Sequence, residues 1–165
     1  MENINVKITV KNFGEMELEL YPEKAPKTVE NFVMLVKSNF YENLIFHRVI
    51  PGFMIQGGGF DSAMNDTNAA SIKGEFAANG FPQNDLKHKR GVISMARTMI
   101  PNSASSQFFI MHNDSPHLDG QYAAFGIVTK GIEVVDKIAA VPTGTYGYHS
   151  DVPRVPVVIE KIEII

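Results

Sequence analysis

The chain has 165 residues, the span of one ordinary domain, and a formal net charge of −3. It contains no cysteine, which excludes disulfides, thiolate nucleophiles and Cys-ligated metal sites. The weakly acidic balance speaks against a dedicated nucleic-acid binder, whose domain is normally strongly basic. The opening Met1-Glu2-Asn3-Ile4-Asn5 lacks the positive charge and apolar run of a signal peptide. No stretch approaches the ~18 apolar residues of a membrane-crossing helix. The expectation is a monomeric cytoplasmic protein, one domain over 1–165, with no membrane or nucleic-acid partner.

The first twenty residues alternate. Ile4, Val6, Ile8 and Val10 are separated by polar residues, as are Met16, Leu18 and Leu20. Period two marks strands with one buried face, and Asn12-Phe13-Gly14 between them predicts a hairpin. Pro22 and Pro26 stop the second strand. Val29, Phe32, Val33, Val36 and Phe40 then form one helical stripe, with Pro26 suited to its first turn. A second helix is predicted over 132–140, where Ile132, Val135, Ile138 and Ala139 share a face behind Gly131. Short apolar runs predict strands near 44–50, 53–57, 92–96, 107–111, 123–129 and 156–164. About eight strands and two helices in one chain predict a mainly β fold: a closed eight-stranded antiparallel β-barrel, closure being the way to remove sheet edges. The segments 60–91 and 143–155 read as loops.

Familiar chemistries fail one by one. Gly57-Gly58-Gly59 is not followed by the Lys-Ser/Thr of a phosphate loop; its glycines suit close backbone approach. His112 and His117 lie five apart around Pro116, which is not the spacing of a helical zinc pair. Ser103, Ser105 and Ser106 lack the nucleophile-elbow pattern. Lys87-His88-Lys89-Arg90 reads as a solvated basic loop. No cofactor and no metal are expected.

One segment stands apart. Phe46 to Gly58 places Arg48, Gln56 and several apolar side chains on two strands joined at Pro51-Gly52. Alternation puts Met54 and Gln56 on one face, and Arg48 with Phe46 and Ile50 on an apolar one. An arginine there must be paired with a carboxylate, hydrogen-bonded or lining a cleft, because an unpaired buried charge is too costly.

The run Phe46 to Gly58 resembles the signature of the cyclophilin-type peptidyl-prolyl cis–trans isomerases. Ile93-Ser94-Met95-Ala96 with Ser106-Gln107-Phe108-Phe109-Ile110 is similar to that family's second signature. Leu118-Asp119-Gly120 with Ala124-Phe125-Gly126 is similar to its third. The resemblance implies the same barrel, capped by two helices, with a proline-binding groove on its outside. It also implies rotation about Xaa-Pro bonds in folding proteins, with no cofactor. Arg48 matches the catalytic arginine, and Gln56 is its companion, orienting Arg48 or a substrate carbonyl. Phe53, Met54, Phe109 and Leu118 match the pocket for the proline ring. Phe46, His47, Met95, Ala96, Arg97, Gln107, His117 and Tyr122 complete the implied substrate-binding set. His117 stands where many members carry tryptophan, and Tyr122 where many carry histidine. Arg97 and Thr98 replace a small Asn-Ala pair. The implied partners are proline-containing peptides, folding clients and, with reduced affinity, cyclosporin-type inhibitors, since His117 offers less flat surface than an indole. The rival reading is a non-catalytic module that holds proline segments.

Overall fold

The computed structural model describes residues 2–165. The opening alternation becomes β1 (Ile4–Val10) and β2 (Gly14–Leu20), paired in antiparallel register. Val6, Ile8, Val10, Met16, Leu18 and Leu20 all point into the interior. α1 follows over Pro26–Lys37, with Pro26 in its first turn, where a missing N–H costs nothing. It buries Val29, Phe32 and Val36 as the stripe predicts, and Leu35 with them. Phe40 falls beyond the helix end. The chain turns there at Asn39, whose φ is 61°, a conformation asparagine tolerates better than most residues.

β3 (Arg48–Ile50) and β4 (Met54–Gly57) form the second hairpin. Phe53 N–H donates to Ile50 O at 3.0 Å, and Gly52 has a φ of 78°. Proline then glycine in the two central positions is the sequence requirement of a type II turn. β5 (Val92–Met95), β6 (Phe108–Met111) and β7 (Ala124–Lys130) complete the centre of the sheet. α2 (Ile132–Ala139) buries Val134, Val135, Ile138 and Ala139. Gly131 leads into it with a φ of 81°, and a Cβ there would stand 2.3 Å from Glu15 O.

The chain ends with β8 (Thr143–Tyr146), β9 (His149–Pro153) and β10 (Ile159–Ile164). β8 and β9 are a separate two-stranded hairpin, which corrects the expectation that 143–155 is a loop. Gly147, with a φ of 62°, makes its turn.

The main sheet runs β10-β1-β2-β7-β5-β6-β4-β3. It curls through 223° but stays open, which corrects the expectation of a closed barrel. Only Arg48–Ile50 of the predicted strand 44–50 is regular, and β10 begins at Ile159 rather than 156. The facing residues 43–46 and 157–159 are joined by single hydrogen bonds: Asn43 N–H to Ile159 O, Phe46 N–H to Val157 O, and Ile159 N–H to Leu44 O. Asn43 has a φ of 66°, and Pro156, just before the facing stretch, lacks the N–H a ladder needs. A continuous ladder cannot form across that seam.

Two apolar clusters result. The large one fills the curled interior and takes in the buried faces of both helices. The small one lies on the outer face, built from Met54, Val92, Phe109, Met111, Leu118 and Ala124. The segment 60–91 has little regular structure beyond one short 3-10 turn at Ala77–Asn79. It is fastened by Glu75, which is 2% exposed. One Glu75 carboxylate oxygen accepts from Thr28 N–H at 2.6 Å and from the Thr28 hydroxyl at 2.7 Å. Thr28 lies in the first turn of α1, where N–H groups have no helical partner and a carboxylate is electrostatically favoured.

Candidate active site

The outer cluster is a concave site. A cavity of about 110 Å³ is lined by Arg48, Phe53, Met54, Gln56, Ala96, Arg97, Phe109, Leu118 and Tyr122. That approaches the ~150 Å³ of a dry protein cavity able to take benzene, so a five-membered ring is the right scale. Phe53, Met54, Phe109 and Leu118 form its apolar walls. The residues come from β3, the β3–β4 turn, β4, the stretch just after β5, β6, the 3-10 turn Pro116–Leu118 and the segment before β7.

Its polar edge is a chain of hydrogen bonds. Arg48 and Gln56 stand opposite each other in the β3–β4 register. Arg48 Nη1 donates to Gln56 Oε1 at 3.1 Å, and Gln56 Nε2 donates to Gln107 Oε1 at 3.0 Å. Arg48 is exposed, and among the described residues no carboxylate pairs with it. The alternative of a carboxylate-bridging arginine therefore falls away. Gly59 makes the relay possible, since a Cβ there would stand 2.3 Å from Gln107 Cγ.

Arg97 shapes the far wall. Its guanidinium lies 4.7 Å from the Phe76 ring centroid and 4.6 Å from that of Tyr122. It also donates to Gln121 O at 2.6 Å and to Thr98 O at 2.9 Å. Stacking on both rings and donating to fixed carbonyls, it holds Tyr122 against the cavity. Phe76 is the partner that sequence reasoning missed; it lies inside the segment taken for a loop. Gln107 lines a second, more polar hollow of about 330 Å³ that continues past Gln56, Ala96 and Arg97. His117 is exposed at the rim, its ring centroid 6.0 Å from that of Phe53.

Three residues of the implied set lie elsewhere. Phe46 is fully buried in the interior cluster. The regular pleat begins only at Arg48, so the alternation that would put Phe46 on the Arg48 face does not reach back to it. Met95 also points inward; with Val92 and Ala96 on the outer face, period two puts Met95 on the other. His47 is buried behind Arg48, 4.6 Å from the Phe60 ring and 6.2 Å from that of His149 on β9. Burial, with His149 and Arg48 nearby, lowers its pKa to about 4, so it is neutral at ordinary pH.

His112 is committed to the fold. Its Nδ1 accepts from Gly52 N–H at 2.8 Å, and its Nε2 lies 3.1 Å from Asp136. Arg90 closes the same corner with paired bonds of 2.7 and 2.8 Å to Asp136.

Residues 5–164 match the family model described as cyclophilin type peptidyl-prolyl cis-trans isomerase/CLD. This chain belongs to that family. It is 53% identical to a peptidyl-prolyl cis-trans isomerase of Acinetobacter baylyi, over 93% of this chain and 81% of that one. It is 44% identical to peptidyl-prolyl cis-trans isomerase B of Escherichia coli, over 93% and 95%. A crystal structure of a Cryptosporidium parvum cyclophilin-type isomerase superposes with a TM-score of 0.83 at 31% identity, covering 99% of this chain and 98% of that one. A second crystal structure of the Cryptosporidium protein, determined in the presence of the dipeptide Ala-Pro, superposes at 0.78 with 32% identity, covering 98% of each chain. As a cyclophilin the chain is a peptidyl-prolyl cis-trans isomerase. No helix among the described residues is long and apolar enough to cross a membrane.

Proposed function

We propose that this cyclophilin turns Xaa-Pro bonds at the Arg48 site, with Arg48 stabilising the twisted transition state. The observation that carries the reading is an exposed guanidinium without a carboxylate partner, held by Gln56 at 3.1 Å beside a ring-sized apolar cavity. Rotation about an Xaa-Pro bond breaks no covalent bond. Its barrier is ~18–20 kcal/mol because amide resonance must be lost. In the twisted state the prolyl nitrogen regains its lone pair and accepts a hydrogen bond better than in either planar state. A donor aimed there lowers the barrier selectively.

Arginine suits the role because it is always charged, offers several donors and never acts as a base. One charge-assisted bond contributes ~1.5–3 kcal/mol, or roughly 10- to 150-fold in rate. Phe53, Met54, Phe109 and Leu118 grip the ring, and Met54 adapts to it. Gln56 acts as a positioning residue, with Gln107 behind it. A pure binding module would have no use for a donor beside the ring.

The whole of 1–165 acts as one monomeric, cytoplasmic unit on exposed proline turns of folding chains, a placement that cell fractionation tests. Cyclosporin-type inhibitors bind weakly, because His117 gives the rim less flat surface than an indole. His117→Trp should tighten that binding. The test of function is a protease-coupled assay on a short Xaa-Pro-Phe peptide. Acceleration in proportion to protein concentration supports the reading. Binding of the peptide without acceleration contradicts it.

A further inference from the structure

The basic run Lys87–Arg90 holds a buried histidine. Its neighbours are exposed, yet His88 is 1% exposed. Its Nδ1 lies 3.1 Å from Asp119 Oδ1, and its Nε2 lies 2.9 Å from Ser94 Oγ. The Asp119 carboxylate can only accept, so the hydrogen-bond network assigns the ring proton to Nδ1. Nε2 then accepts from the Ser94 hydroxyl. Burial is the main cause that lowers the His88 pKa, consistent with a neutral ring. Asp-His-Ser in line has the look of a nucleophile triad, but Ser94 is fully buried and no substrate carbonyl can reach it.

The three residues lie instead behind the ring-sized cavity, and they belong to different walls of it. Ser94 is on β5, one strand from Phe109 on β6, with which it pairs in register. The His88 ring stacks on Phe109 at 6.0 Å with an interplanar angle of 17°. Asp119 follows Leu118 directly and stands three residues before Tyr122. Asp119 Oδ1 also accepts His88 N–H at 2.6 Å, and His88 O accepts from Ser115 N–H at 2.9 Å. Phe109 and Tyr122 meet edge to face at 5.7 Å. Among the described residues, no other buried polar side chain links the Leu118–Tyr122 wall to the β5–β6 wall.

Building on the isomerase reading above, we propose that His88 is a positioning residue which, through Asp119 and Ser94, fixes the distance between the Phe109 wall and the Leu118–Tyr122 wall. It touches neither substrate nor Arg48. Its effect is on the fit of the proline ring, so its loss weakens ring binding more than it slows the bond rotation once the ring is bound.

The test compares His88→Phe, which keeps a stacked ring and loses both hydrogen bonds, with Asp119→Ala and Asp119→Asn. Isomerisation kinetics of an Ala-Pro-Phe peptide give kcat and KM, and an NMR titration with the dipeptide Ala-Pro gives affinity independently of turnover. Each protein is measured well below its own melting temperature. His88→Phe and Asp119→Ala should raise KM and the Ala-Pro dissociation constant by about fivefold or more, while kcat changes less than about twofold. Asp119→Asn, which keeps an acceptor oxygen, should recover at least half of that loss. If His88→Phe does not fold, the two Asp119 variants decide. Folded variants with wild-type affinity and KM but a lowered melting temperature overturn the proposal, because His88 is then merely structural. A fall in kcat with KM and affinity unchanged also overturns it. A wild-type protein that binds Ala-Pro without turning over sinks the isomerase reading instead, and the affinity series still decides the role of His88.

Discussion

Arg48 and Gln56 face each other across the β3–β4 hairpin, and a 3.1 Å hydrogen bond from Nη1 to Oε1 holds the guanidinium at the cavity mouth. Cross-strand register alone sets this pair, because the Pro51-Gly52 turn leaves one way to align the two strands. The guanidinium spends one donor on Gln56 and keeps others for a ligand. Arg48→Lys keeps the charge but loses the fork that can serve both at once. We expect kcat/KM to fall by about threefold to tenfold, with unchanged stability. Denaturant unfolding alongside the kinetics checks both parts.

Gly59 governs the same relay from behind. Alanine there would drive Cβ to 2.3 Å from Gln107 Cγ, so Gln107 must move and Gln56 loses its acceptor. Gly59→Ala should therefore lower kcat/KM by several-fold with little change in far-UV circular dichroism. A double variant with Gln107→Ala tests the route. If the crowding acts through Gln107, adding Gly59→Ala to Gln107→Ala should cost almost nothing further.

Turnover should be nearly flat between about pH 6 and 8, since no group at the cavity needs to change protonation. A bell centred near a histidine pKa would contradict the mechanism. Stability behaves differently. His47, with its pKa lowered to about 4, and His88, lowered by burial, are both neutral in the fold. The unfolded chain takes up protons on them as pH falls through ~6.5. Stability is thus full above that value and declines below it, at up to about 1.4 kcal/mol per pH unit for His47 until its own pKa near 4, with His88 acting in the same direction. Urea midpoints at pH 7 and pH 5 should show the loss, and His47→Leu should reduce the slope.

Glu75 is expected to matter more than a loop carboxylate usually does. Removing it leaves Thr28 N–H and its hydroxyl buried without a partner at the start of α1. Glu75→Ala should destabilise the protein by about 1–3 kcal/mol. Glu75→Gln, which retains an acceptor oxygen, should recover part of that. Thermal unfolding of the two variants measures the difference.

What the sequence discloses follows from periodicity. Ile4 to Leu20 alternates cleanly because one face of that hairpin is buried, and the α1 stripe repeats because only one face packs. Arg48, Gln56, Phe53, Met54, Phe109 and Leu118 are legible because they lie in contiguous motifs. Phe46 misled because the pleat breaks between it and Arg48, and a break leaves no mark on polarity. Met95 was decidable, since Ala96 beside it already occupies the outer face. His88 and Phe76 stay hidden because their burial is created by distant partners, Asp119 and Arg97, which no local pattern connects. The open seam between β3 and β10 turns on Asn43 and Pro156, whose effect depends on where the sheet ends meet.

The most direct measurement is kcat/KM for an Xaa-Pro-Phe peptide by Arg48→Ala, with its unfolding curve recorded in parallel. The account predicts a fall of at least about tenfold with the cooperative unfolding of the parent protein retained. Full activity in a folded Arg48→Ala protein would contradict it.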